Sequence, residues 1–177
     1  MSLHRRVAAP VMALSLIAAG CGGGTGPAPR TWAASVCSAL SPWRAKIDEL
    51  AVRAQQEMSS STTPAMAKQH LVELLAGAQA ASETARAKVA AAGVPEVDGG
   101  DRIAARFTDS LRAARDAYAH AKATIEALDT ADATVFNRSV AAAFAKLNQE
   151  YAGSALDTSN VGSVDLQKAF AEVPECR

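Results

Sequence analysis

The sequence predicts an all-α fold: an antiparallel up-down-up-down four-helix bundle closed by a short C-terminal helix. Three observations carry this. Apolar residues recur every three or four positions through four long segments, the period of a helix with one buried face. Proline, glycine and small polar residues sit at the ends of those segments, where helices start and stop. Alanine occurs 42 times in 177 residues, which favours helix and lets helices approach closely. No alternating apolar and polar stretch competes as a strand.

The first stripe runs over Thr31–Met58 on Trp32, Val36, Leu40, Trp43, Ile47, Leu50, Ala54 and Met58. Ser41-Pro42 interrupts it. Proline lacks the helical donor and clashes with the preceding turn, so a kink or a fresh start is expected there, with Ser41 as N-cap and Pro42 at the first helical position. Ser59 to Thr63 is a polar break, and Thr63-Pro64 repeats the start signal. The second helix reads to about Ala92 on Ala67, Leu71, Leu74, Leu75, Ala78, Ala81, Ala85 and Val89. Gly93 then stands where a left-handed C-cap glycine belongs, with Pro95 beyond it.

The Gly93–Gly100 loop contains a glycine pair but no phosphate-cradling pattern, and reads as a turn. Ile103, Phe107, Leu111, Ala114, Tyr118, Ala121, Ile125 and Leu128 mark the third helix, about 28 residues and roughly 42 Å long. Its other faces mix Arg102, Arg106, Asp109, Arg112, Arg115, Asp116, Lys122 and Glu126, a solvated surface. Capping residues in Asp129–Asp132 precede a fourth helix on Phe136, Val140, Phe144, Leu147 and Tyr151, ended by Gly153. After a loop, Ser163 can cap a short helix carrying Leu166, Phe170 and Val173, stopped by Pro174. The last two helices together approximate one of the long ones.

Ahead of the helices stands a leader. His4, Arg5 and Arg6 form a positive head, and Val7 to Ala19 is apolar apart from Pro10 and Ser15. That is the length of a signal-peptide core and too short to span a bilayer. Ala18, Ala19 and Gly20 then precede Cys21. Residues 1–21 resemble a bacterial lipoprotein signal, whose lipobox ends in a cysteine that is diacylated (a palmitate-type anchor) and becomes the new N-terminus. Ala18 departs from the leucine usual at that position. The small residues also fit an ordinary secretory cleavage site, which would release a secreted soluble protein. Gly22 to Arg30 is rich in glycine, proline and small side chains, a flexible tether. The expected organisation is therefore a signal peptide over 1–20, a tether over 21–30 and a helical domain over 31–177.

If Cys21 carries lipid, Cys37 and Cys176 remain as one pair in an oxidising compartment and are expected to form a disulfide. An even number of antiparallel long helices brings them to the same end. Closing so long a loop stabilises the domain by roughly 5 kcal/mol in the chain-entropy model.

Composition excludes more than it selects. Arg5 and Arg6 fall in the leader, leaving 16 basic against 18 acidic side chains and a net charge of −2, against a nucleic-acid partner. No Glu-x-x-His pair supports a carboxylate-bridged metal centre. Asp116 with His120 and His70 with Glu73 have helical spacing but read as surface pairs, so no metal site, no cofactor and no catalytic residue is expected. Trp32 and Trp43 share one helical face, which is core spacing, although either can line a cleft. Asn137-Arg138-Ser139 matches a glycosylation sequon inside a helix and carries no weight.

The alanine bias, the cysteine near the first helix start, Gly93-Val94-Pro95 and the terminal cysteine together resemble the small, functionally uncharacterised helical lipoproteins of high-GC Gram-positive bacteria. That resemblance implies a lipid anchor on the extracytoplasmic face of the cell membrane. The expected role is a non-enzymatic module for an envelope protein or wall component. The alternative is a small-molecule or lipid-binding module, for which an apolar cavity beside Trp32, Trp43 or Tyr118 would speak.

Overall fold

The computed structural model of the chain describes residues 26–58, 62–152, 158 and 160–177. The expected signal peptide over 1–20, Cys21 and the first half of the expected tether, like Ser59–Ser61 and Gly153, lie outside the described residues. Among those described, the elements are α1 (Pro29–Glu57), α2 (Pro64–Ala91), α3 (Gly100–Glu126), α4 (Ala133–Ala152), α5 (Val164–Glu172) and a terminal 3-10 turn, Pro174–Cys176. The chain is an all-α, antiparallel bundle of four long helices with a short C-terminal helix.

The helix starts follow from their residues. Thr63 accepts a hydrogen bond from the Met66 amide through its side chain, and Pro64 follows at the first helical position. Asp132 Oδ1 accepts from the amides of Thr134 and Val135, and Ser163 Oγ from that of Leu166. At the end of α2, Gly93 turns the chain with φ of 74°, a conformation that costs a side chain dearly.

Two boundaries differ from the sequence reading. Pro29 and Arg30, assigned to the tether, form the first turn of α1 because proline is pre-shaped for that position. More telling, α1 neither stops nor restarts at Ser41-Pro42: Pro42 lies inside one continuous helix, and Ser41 caps nothing. A proline in a helix interior costs about 3 kcal/mol. Trp32, Val36 and Leu40 before it and Trp43 and Leu50 after it are all buried on one stripe. Breaking the helix would unseat one of those groups, and each such side chain contributes about 1.5–3 kcal/mol by burial.

In the assembled bundle α2 lies between α1 and α3, with α4 packed chiefly on α3 and α5 on α1. The core falls into two clusters. One joins the first half of α1, the end of α2, the start of α3 and α5. Trp32, Phe107 and Phe170 form its centre: Trp32 meets the two phenylalanines edge-on at 5.3 and 5.9 Å, and these stack on each other at 5.9 Å. The second cluster joins Leu50, Leu71, Leu75, Ala78, Ala117, Tyr118, Ala121, Ile125, Ala143 and Leu147.

The Cys37–Cys176 disulfide is present, with Cα atoms 5.1 Å apart across 139 residues of sequence. It clamps the chain's end to α1 beside the aromatic centre. Arg30 pairs with Glu172 on the same side.

Candidate functional site

Two tryptophans on one face of α1 have different surroundings. Trp32 is fully buried, and its indole N–H donates to the Gly93 carbonyl at 2.9 Å, tying the start of α1 to the turn after α2. Trp43 keeps a small exposed edge. Its N–H donates to Ser82 Oγ at 3.0 Å, and that hydroxyl donates to the Ala78 carbonyl at 2.8 Å. Ser82 is fully buried. Ser82 is absent from the apolar stripe read from the sequence; the signal for it is that a buried indole N–H needs an acceptor.

Trp43 borders two hollows, one on the α2 side of its ring and one on the α4 side. Between α1 and α2, Ala39, Pro42, Trp43, Ala81 and Ala85 form a trough of about 220 Å³, with Thr84 and two lysines, Lys46 and Lys88, on its rim. Between α1 and the end of α4, Trp43, Arg44, Ile47, Asp48 and Tyr151 line a second hollow of about 210 Å³. Both are open to solvent. The first arises from chemistry legible in the residues. Alanines at Ala39, Ala81 and Ala85 leave the helix surfaces low, and the ring of Pro42 replaces a donor with a carbon wall.

Tyr118 does not border either hollow. It lies in the second core cluster against Tyr151, with ring centroids 5.9 Å apart. Burial, then the neighbouring Tyr151, pushes its hydroxyl well above the ordinary tyrosine range, and burial raises Tyr151 too. Neither phenol is suited to act as a base near neutral pH.

The acid–histidine pairs separate rather than converge. His120 Nδ1 lies 3.1 Å from Glu150 Oε2 on α4, while Asp116 is held by Arg115 on its own helix. His70 Nδ1 is 3.0 Å from Glu57 Oε2 on α1 but off the line of a hydrogen bond, and Glu73 binds Gln69. The hollow at His70 encloses only about 40 Å³. Among the described residues no group of three or more His, Cys, Asp or Glu is arranged to hold a metal ion.

Asn137, Arg138 and Ser139 lie within α4. The strongest charge cluster is structural. Glu83 on α2 accepts from Arg86 on its own helix and from Arg115 on α3, which hold its carboxyl down at about 2.

Cys37 and Cys176 are joined, and Cys21 is the odd cysteine of the three. The chain enters the described structure at Gly26–Pro27, where the Pro27 carbonyl accepts from the Glu96 amide at 3.0 Å and Gly26 packs on the Val94 carbonyl. Among the described residues no helix is long and apolar enough to cross a membrane. No protein-family model, no curated protein and no solved structure matches the chain.

Proposed function

We propose that this chain is the precursor of an exported lipoprotein, acylated at Cys21 and held on the extracytoplasmic face of the cell membrane. In this reading the bundle is a non-enzymatic interaction module for an envelope protein or wall component. The observation that carries it is the cysteine pairing. Cys37 and Cys176 take each other, and the residue left over is the one that follows the apolar leader.

The attachment geometry supports the same reading. Four residues separate Cys21 from Gly26, five steps of chain with a reach of at most about 18 Å. Gly26 and Pro27 rest on the Gly93–Gly100 turn, at the end of the bundle that carries the disulfide. An anchor there holds that end toward the bilayer and turns Thr62–Thr63 and Asp129–Asp132 outward. Beside those outer turns, Met58, Met66 and Val135 are 42%, 51% and 53% exposed.

The test is fractionation of a host that processes such leaders, expressing either the natural chain or Cys21→Ser. The natural chain is expected with the membranes and the variant in the soluble fraction. Recovery of both as soluble protein sinks the anchor.

A second reading, a ligand-binding helical module, is favoured by one observation: Trp43 borders two hollows between helices.

A further inference from the structure

We infer that the trough between α1 and α2 binds a free single-chain anionic amphiphile, its headgroup at Lys88 and its chain laid over Pro42 and Trp43. This rests on the ligand-binding reading above.

The register of the two helices sets the shape of the trough. Trp43 meets Ser82, and Gly77 closes on Leu50, so α1 and α2 run antiparallel with Lys88 at the level of Cys37–Ala39 and Lys46 at the level of Gln79–Ala81. The two lysines therefore stand about 12 Å apart along the axis, roughly eight residues of helix. The floor between them is Ala39, Pro42, Trp43, Ala81 and Ala85, with no carboxylate among its lining residues.

The floor is closed to polar ligands by its own bonding. The indole N–H of Trp43 is spent on Ser82, and the hydroxyl of Ser82 on Ala78. The Thr84 hydroxyl on the rim donates to the Ala80 carbonyl. What the trough offers is an apolar surface with an aromatic edge, which fits a hydrocarbon chain and gains by removing it from water.

The two lysines are not equivalent. Lys46 Nζ is 2.9 and 3.0 Å from the two oxygens of Glu49, which also binds Arg53. Lys88 has no acidic partner among the described residues, and an exposed ammonium at the end of an apolar trough complements an anion on the end of a chain. A neutral or cationic headgroup gains nothing there.

The test uses the full chain carrying Cys21→Ser, so that the protein's own anchor cannot occupy the trough. Dodecanoate, dodecyl maltoside and dodecyltrimethylammonium are titrated below their micelle-forming concentrations by calorimetry. Dodecanoate is expected to bind one per chain, and its brominated form to quench Trp43, since Trp32 is fully enclosed. Lys88→Ala should weaken binding at least about tenfold, the worth of a charge-assisted contact. Thr84→Trp, an exposed change that fills the trough, should abolish binding without moving the thermal midpoint.

Equal binding of all three amphiphiles overturns the anionic assignment and leaves the ligand-binding reading standing. Binding of none overturns both. Dodecanoate binding that survives Lys88→Ala and Thr84→Trp unchanged lies elsewhere and overturns the inference.

Discussion

The two halves of this bundle share helices α1, α2 and α3 yet are stabilised differently. The half that carries the disulfide packs Trp32, Phe107 and Phe170 against one another, adds Leu40, Leu111, Val161 and Leu166, and closes with Cys37–Cys176. The other half relies on leucines, alanines, Ile125 and a tyrosine pair, and the backbone of its fourth helix packs on α3 rather than on α1. Alanine allows helices to come together but removes little apolar area from water. The difference teaches that the sequence concentrates bulk and a covalent clamp where the chain enters. Its other end has the smaller buried cluster and no disulfide.

The largest expected effect tests that asymmetry. Phe107→Ala, which empties the space between two rings, should cost about 3–5 kcal/mol. Leu147→Ala on α4 should cost less, toward the lower end of the roughly 2–5 kcal/mol seen for leucine, because α4 can settle on α3. Denaturant midpoints measure both; equal losses would break the comparison.

Removing the disulfide with Cys37→Ser and Cys176→Ser together should cost about 2–5 kcal/mol. Amide exchange should accelerate in α5, which the bond clamps, and stay unchanged in α4. Acceleration spread evenly over both would mean that the halves unfold as one unit.

Ser82→Ala strands the Trp43 indole N–H at a buried site and is expected to cost about 1–3 kcal/mol. It should also red-shift the tryptophan emission, since Trp43 alone of the two retains an exposed edge.

The smallest effect concerns the joint between the halves. Arg86 and Arg115 hold Glu83 at about 2, below its ordinary value of 4.5. A carboxyl with a depressed folded value stabilises the protein above the unfolded value and loses that contribution as pH falls through the folded one. Stability should therefore decline from about pH 4.5 to about pH 2, and Glu83→Gln should flatten that part of the profile. Because the pair is solvent-exposed, the change is small. An unchanged acid limb in the variant would remove Glu83 from the account.

Much of the architecture was legible because its signals are local. Thr63-Pro64, Asp132 and Ser163 mark helix starts through their own side chains, and Gly93 marks an end through its backbone freedom. The fresh start expected at Pro42 does not occur, because its local penalty is outweighed by residues up to three turns away on both sides, whose burial depends on the other helices. The trough was not legible for a related reason. Ala39 and Pro42 form it only once Ala81 and Ala85, some forty residues later, arrive opposite them in register. The cysteine pair was foreseeable from counting, since it needed only compartment and helix parity.

In the proposed reading, two of the three cysteines clamp the bundle and the third anchors it. The most direct test is the non-reduced mass of the protein recovered from membranes of an exporting host, with peptide mapping of its N-terminus. The expected result is a chain beginning at Cys21 with a diacylglyceryl adduct, and Cys37 linked to Cys176. An unmodified Cys21 thiol, or Cys21 found in a disulfide with either of the others, would contradict it.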